Sequence, residues 1–133
     1  MTIRELNQLR DLKREIQMDA ERIAELETQA THITVSLSGM SSGGGDGKRL
    51  ERYAAAIADL HTQIEYKRQR CIAEQKRLEA YIDDIPVSLT RQIFTLRFIE
   101  GLTWQQVANR THQGSRATPH SIVSRFLADI ADK

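Results

Sequence analysis

Two runs of apolar residues spaced by seven constrain this chain more than any other feature of its sequence. The first run comprises Leu9, Ile16, Ile23, Ala30 and Leu37. The second run comprises Leu50, Ile57, Ile64, Cys71 and Leu78. A sustained seven-residue apolar repeat predicts a helix that packs lengthwise against another helix, as in a coiled coil. Neither Pro nor Gly occurs before Gly39, so nothing in the sequence interrupts the first helix.

The segment between the two runs predicts a turn. Residues 38–47 are rich in Gly and Ser, and each glycine disfavours a helix by about 1 kcal/mol relative to Ala. When the chain is folded about Gly45, Ile33 pairs with Ile57 and Leu37 pairs with Tyr53. One register satisfies nearly the whole length of both runs. Residues 1–85 are therefore expected to form a long antiparallel helical hairpin, a coiled coil with its turn at residues 38–47.

Polar residues interrupt the middle of the predicted seam. Asp19, Lys67 and Glu74 fall there, and a polar layer lowers stability but can specify register or partner. The alternative is that Asp19 and Lys67 simply pair at the edge of the seam. Three further apolar residues lie off the seam, namely Met18, Ile72 and Ile82. They predict a third contact, either a second hairpin in a homodimer or the C-terminal part of the chain.

The period of the apolar residues changes after Pro86. Ser88 is placed to cap a helix that continues to Ile99, and Gly101 is placed to end it. Thr103 is the expected cap of the next helix, Trp104 to Arg110, and Gln106 completes a capping box. The inward face of this short helix is expected to carry Val107 and Ala108.

A Gly-containing turn, residues 111–115, precedes the last predicted helix. Thr118 is its expected cap, Pro119 its first residue, and Ile122, Phe126 and Ile130 its apolar face. Three short helices with a small residue at the crossing are typical of a helix-turn-helix domain. The fold class predicted from the sequence is therefore all-α: a helical hairpin, residues 1–85, followed by a three-helix helix-turn-helix domain, residues 86–133.

Charge is distributed unevenly between these two parts. Residues 1–85 contain 13 Lys/Arg and 15 Asp/Glu, whereas residues 86–133 contain 6 Lys/Arg and 3 Asp/Glu. No acidic residue occurs between Gly101 and Ala128. A basic C-terminal part is suited to a polyanionic partner, although an excess of this size also occurs on ordinary domains.

The stretch from Arg91 to Ala108 resembles the start of sigma factor region four. The shared features are an apolar helix ending in Leu-Arg-Phe, then Gly-Leu-Thr, then a short helix ending in Val-Ala. The whole layout also resembles small sigma-like or ArpU-like transcriptional regulators of phages and prophages. This resemblance implies a regulator that binds double-stranded DNA with its third C-terminal helix in the major groove, and that has RNA polymerase as a possible second partner.

The resemblance and the residue chemistry together nominate a DNA-binding site. Arg suits guanine edges and phosphate, and Ser, Thr and His reach either, while the two glutamines are placed to anchor the supporting helix. The candidate residues are Gln105, Gln106, Ser115, Arg116, Thr118, His120, Ser121, Ser124 and Arg125. Two alternatives remain open. The chain could be a protein-interaction module that docks on RNA polymerase, or a DNA-packaging component like a small terminase subunit.

Enzymatic and metal chemistry find no support in the sequence. The four histidines lack zinc-ligand spacing, the acidic residues form no recognisable pair, and no cofactor motif occurs. No apolar run approaches the roughly 20 residues of a membrane span, and the N-terminus lacks the apolar core of a signal peptide. The lone cysteine, Cys71, cannot form an internal disulfide. These features predict a cytoplasmic, non-enzymatic protein without a membrane segment.

Overall fold

The computed structural model of the chain describes residues 1–39 and 44–131. Within these ranges the chain is all-helical, which confirms the predicted fold class at this level. The elements are α1 (Ile3–Gly39), α2 (Gly44–Asp83), α3 (Ser88–Phe94), a π-helical segment (Thr95–Ile99), α4 (Trp104–Arg110) and α5 (Ala117–Ala131).

The two long helices extend into the glycine-rich stretch from both sides. α1 continues through Gly39 and α2 begins at Gly44, so both reach further into the predicted turn than the glycine content suggested. A glycine costs less in the terminal turns of a helix, where backbone groups lack intrahelical partners, than in its interior. The rest of the predicted turn, residues 40–43, lies outside the described residues, as does the side chain of Leu37 with its predicted pairing to Tyr53.

Contacts within the chain group it into two compact units. One, the central unit, comprises Lys13–Arg70, and the other, the terminal unit, comprises Met1–Leu12 together with Cys71–Lys133. The predicted domain division at residues 85/86 stays a prediction, because grouping by contacts does not establish which segments fold independently.

The central unit buries residues of the predicted seams. Its buried apolar side chains are Ile23, Leu26, Ile33 and Ile64. Lys67 Nζ donates to Asp19 Oδ2 at 2.6 Å, and both side chains are more than four-fifths buried. The alternative in which these two residues pair is thus confirmed. Met18 and Ile72, for which the sequence predicted a third contact, are 57% and 52% exposed, so within the described part of the chain that contact does not cover them.

The terminal unit has one apolar core to which several helices contribute. Its buried residues are Leu6, Leu9, Leu78, Ile82, Ile85, Ile93, Phe94, Phe98, Val107 and Val123. The ring of Phe94 lies at its centre, with centroids 5.3 Å from Phe98 and 5.4 Å from Phe126. Ile82 therefore meets the C-terminal helices, which was one of the two contacts expected for an off-seam residue.

The start of α3 corrects one sequence-based prediction. Ser88 was expected to cap this helix, but the capping position is Val87, whose backbone is extended and whose carbonyl accepts from the Arg91 N–H at 3.0 Å. Ser88 is thus already helical, and its Oγ accepts from Gln92 Nε2 at 3.2 Å instead. The predicted Ser88 cap is wrong because the first helical hydrogen bond forms one residue earlier.

The last residues of the helix predicted to continue to Ile99 are π-helical rather than α-helical, but the helix ends where the sequence predicted. Residues Thr95–Ile99 are π-helical, and the Glu100 N–H bonds to the Thr95 carbonyl at 3.0 Å. Gly101 follows with φ +75°, the left-handed conformation that glycine adopts without a steric penalty. Gly101 is therefore confirmed as the residue that ends the helix.

The start of α5 corrects a second prediction. Thr118 was expected as its cap, but α5 begins at Ala117, whose N–H is bonded by Ser115 Oγ at 3.2 Å. Pro119 is then the third helical residue, which is tolerated because N–H groups of the first turn have no helical partner anyway. The buried residues of α5 are Pro119 and Val123, whereas Ile130 of the predicted apolar face is 40% exposed.

Candidate nucleic-acid interface

The short helix α4 is fixed at its first residue by the predicted capping box. Thr103 Oγ1 accepts from the Gln106 N–H at 3.2 Å, and Gln106 Oε1 accepts from the Thr103 N–H at 2.9 Å. Both bonds satisfy backbone N–H groups that a helix start leaves without partners. The bounds Trp104–Arg110 agree with the sequence prediction.

The inner faces of α4 and α5 are apolar and contact each other. Val107 and Ala108 of α4 are fully buried, as the sequence predicted, and Val123 of α5 is 2% exposed. Thr111, the first residue of the connecting turn, is also buried, and its hydroxyl donates to the Val107 carbonyl at 2.8 Å. The methyl side chain of Ala108 allows a neighbouring helix to approach closely. The contact between α4 and α5 is therefore made by closely packed side chains.

The predicted site residues all lie on the exposed side of these elements. Solvent reaches Gln105, Gln106, Ser115, Arg116, Thr118, His120, Ser121, Ser124 and Arg125. In α5, residues 118, 121 and 125 follow a three- and four-residue spacing and so share one strip of the helix. Because the buried Val123 faces the core, the polar side of α5 is the exposed side.

Two glutamines in α4 already have partners within the helix. Gln106 uses its side-chain carbonyl in the capping box, which leaves its amide NH2 group for other contacts. Gln105 Nε2 donates to Asn109 Oδ1 at 3.1 Å, one turn further along. Both residues are therefore held in orientation before any partner arrives, which lowers the entropy lost on binding.

A stack of three side chains supports His120, and the sequence analysis did not foresee it. The His120 ring lies edge-on to the Trp104 ring, with centroids 5.1 Å apart and planes at 81°. The Arg97 guanidinium covers the same indole, its Cζ 4.5 Å from the ring centroid. Burial lowers the pKa of Arg97 from its ordinary value, and the charge of Arg10 lowers it further. The arginine nevertheless stays charged, since an arginine is effectively always protonated in proteins.

Three arginines, Arg110, Arg116 and Arg125, supply positive charge to the exposed surface of these elements. The structure records no ion pair for Arg110, Arg116 or Arg125 among the described residues. Arg110 ends α4 on the exposed side, and the acid-free stretch 101–128 was the sequence signal that could have added it to the site. Unpaired guanidinium groups can contact phosphate without first breaking an internal bond.

No helix in the described ranges is long and apolar enough to cross a membrane. The same part of the chain holds no cluster of three His, Cys, Asp or Glu residues that fits a metal ion. Comparison with protein families, with curated proteins and with solved structures finds no match to this chain.

Proposed function

We propose that this chain is a DNA-binding transcription regulator of phage or prophage type, without catalytic activity, that acts in the cytoplasm. In this proposal α4, the turn after it and α5 form a helix-turn-helix like that of sigma factor region four, and α5 enters the major groove. The observation that carries the proposal is the division of α5: an apolar side packed on α4, and an exposed polar side that carries Arg125 and directly follows Arg116, two arginines without an ion pair among the described residues.

The proposed arrangement of helices has support from contacts inside each unit. In the central unit, the Asp19–Lys67 bond joins α1 to α2 at residues far apart in sequence. In the terminal unit, Arg77 Nη2 meets Glu5 Oε1 at 2.9 Å, which again joins α2 to α1. In each unit, considered by itself, a residue of α1 thus meets a residue of α2 far from it in sequence. Such contacts are what the proposed hairpin requires, and they support it.

Each exposed residue of the site has a role in the proposal. Arg116 and Arg125 contact phosphate or guanine edges. Base edges or the sugar-phosphate backbone are contacted by Ser115, Thr118, His120, Ser121 and Ser124. Gln105 and Gln106 hold α4 against the sugar-phosphate backbone of the DNA. The α1–α2 hairpin provides self-association or binds a second partner, with RNA polymerase the first to be tried.

Binding to a pool of random, host and phage DNA fragments at two salt concentrations tests this proposal, with the recovered fragments sequenced. We expect one enriched motif and an affinity that falls as salt rises. The variant R116A/R125A is expected to bind at least about tenfold more weakly, since each lost contact is worth on the order of 1 kcal/mol.

The matched control for these two substitutions is R14A/R68A. Both arginines are exposed residues of the central unit, so the control removes the same charge without touching α5. Its DNA affinity should stay close to that of the parent protein. Absence of any DNA retention at low salt contradicts the proposal and directs the search to protein partners. A large ring-shaped oligomer would instead favour the DNA-packaging alternative.

A further inference from the structure

His120 is an exposed residue near the start of α5 whose ring is held in place by another helix. Its imidazole lies at 81° to the indole of Trp104, the first residue of α4, with the ring centroids 5.1 Å apart. Aromatic rings favour such a perpendicular arrangement. Of the predicted site residues in α5, His120 alone has a side-chain ring contact or hydrogen bond to another helix among the described residues. The ring is therefore fixed in orientation while it stays accessible to solvent.

Trp104 is itself fixed by two neighbouring side chains of the terminal unit. The ring of Phe98, a core residue that is 1% exposed, lies at 88° to the indole with the centroids 6.5 Å apart. The Arg97 guanidinium lies over the indole with its Cζ 4.5 Å from the ring centroid. Its Nη1 is held there by the Leu102 carbonyl at 2.9 Å. The position of the His120 ring is thus set by packing onto the core as well as by the backbone of α5.

The hydrogen-bonding groups of this fixed ring are unused. Neither nitrogen of His120 has a hydrogen-bond partner among the described residues. A neutral imidazole has one N–H donor and one acceptor nitrogen, so both are available to a ligand. A side chain that is oriented before binding loses less conformational entropy when it makes a contact. An oriented ring with free donor and acceptor groups is suited to distinguishing one base from another.

Positive charge around the ring favours one kind of base edge. Arg97 lies on the same indole as His120, and Arg116 directly precedes α5. No acidic residue occurs between Gly101 and Ala128. Positive surroundings favour an edge that presents acceptors only. In the major groove guanine presents N7 and O6, two acceptors, whereas adenine adds an N6–H2 donor beside N7.

We propose that His120 selects guanine in the major groove and that Trp104 is the residue that positions it. This inference rests on the DNA-binding function proposed above and names the base that one residue of that site reads. The imidazole N–H donates to N7 or O6 of the guanine. Trp104 acts only through the orientation that it gives to the His120 ring.

Selection from a pool of random DNA duplexes with the full-length protein tests the assignment, with the bound duplexes sequenced for each variant. We expect His120→Ala to keep the parent motif except at one base pair, where the preference for guanine is lost. When that G·C pair is changed to A·T, the parent protein should bind at least about fivefold more weakly, and His120→Ala should bind both duplexes equally. The matched control is His61→Ala, an exposed histidine of α2, which should return the parent motif.

Two substitutions of Trp104 separate positioning from stability. Trp104→Phe keeps an aromatic ring beside His120 and should retain the guanine preference. Trp104→Leu keeps apolar volume without a ring and should lose the preference at the same base pair, while its affinity for unrelated DNA stays close to that of the parent. A purely structural role would lower the affinity for all sequences together and leave the motif unchanged. Circular dichroism compares the helix content of the two variants, and His120→Ala, a change at an exposed position, decides the test if Trp104→Leu loses helix.

The possible failures are distinguishable from one another. An unchanged motif in His120→Ala, or loss of a preference for a base other than guanine, overturns this inference and leaves the proposed function standing. An unchanged motif in Trp104→Leu overturns the positioning role of Trp104. Absence of any enriched motif with the parent protein overturns the inference together with the sequence-specific regulation on which it rests.

Discussion

Arg97 lies over the indole ring of Trp104, with its Cζ 4.5 Å from the ring centroid, and its Nη1 donates to the Leu102 carbonyl at 2.9 Å. The residue thus joins the π-helical segment to the start of α4 by a cation–π contact and a hydrogen bond at once. Because Trp104 also meets His120, this link sets the position of a residue in the proposed DNA-binding site.

We expect Arg97→Ala to lower the free energy of unfolding by about 2 kcal/mol, the combined worth of a cation–π contact and a charged hydrogen bond. Urea denaturation followed by circular dichroism measures the change. The free energy of unfolding of Arg97→Lys should lie between those of the parent protein and Arg97→Ala, since Lys keeps the charge but not the planar guanidinium. The control is Arg125→Ala, an exposed residue whose loss should change stability by no more than about 0.5 kcal/mol. Equal effects of Arg97→Ala and Arg125→Ala would contradict a structural role for Arg97.

The capping box of α4 predicts a difference between two threonines. Thr103→Ala removes the acceptor of the Gln106 N–H and should cost about 1 kcal/mol of stability. Thr118→Ala should have a small effect, because Thr118 is already inside α5 and does not cap it. Thermal unfolding of the two variants measures the difference in stability. A larger loss of stability in Thr118→Ala than in Thr103→Ala would support the Thr118 cap predicted from the sequence.

The two glycines of the C-terminal segment should respond in opposite ways to substitution by Ala. Gly101 has φ +75°, so Gly101→Ala should destabilise the protein by about 1 kcal/mol through backbone strain alone, since a Cβ there meets no atom within 4 Å. Gly114 has equal space but no left-handed φ, so Gly114→Ala should be neutral or slightly stabilising. Chemical denaturation measures both, and similar destabilisation by the two changes would refute the assignment.

The Asp19–Lys67 pair should be energetically coupled because both side chains are largely buried. We expect a double-mutant cycle with Asp19→Ala and Lys67→Ala to give a coupling energy on the order of 1 kcal/mol or more. The reference cycle uses Arg22 and Glu25, an exposed pair whose coupling should stay below about 0.5 kcal/mol. Addition of salt should weaken the exposed pair more. A coupling of Asp19 to Lys67 no larger than the reference would mean that the pair contributes no specificity.

Glu5 should make the stability of the protein depend on acid pH. Glu5 Oε2 accepts a hydrogen bond from the Thr2 backbone N–H at 2.7 Å. This bond, and after it the positive charge of Arg77, hold the pKa of the Glu5 carboxyl below its ordinary value of 4.5. A pKa lowered by folding means that the stabilisation is present above the unfolded-state pKa and is lost as pH falls through the folded-state value. Glu5→Gln should therefore flatten the fall in melting temperature below about pH 4.5. Glu27→Gln, which removes the same charge from an exposed site, should leave that fall unchanged.

Local features of the C-terminal segment were predictable from the sequence. The bounds of α4, its capping box and the end of the preceding helix at Gly101 all depend on residues within a few positions of each other. The spacing of residues in the sequence predicts such interactions, because capping bonds and left-handed turns form between near neighbours. Burial of Ile23, Leu26 and Ile64 followed in the same way from the heptad period.

Two predicted caps failed for a reason that lies in geometry. Ser88 and Thr118 have good capping side chains, but α3 begins one residue earlier and α5 two residues earlier than the sequence suggested. Packing of Ile93 and Val123 into the terminal core constrains where each helix lies, and the capping residue follows from that position. Propensity alone cannot locate a helix end to a single residue.

The sequence by itself determined that this chain is helical, where its apolar seams run and which stretch lacks acidic residues. Only the tertiary structure decided that Ile82 joins the core of the C-terminal helices and that Arg97 and His120 meet on Trp104. The physical reason is separation along the chain: local propensity and period act over a few residues, whereas these contacts join segments whose proximity exists only once the helices have packed.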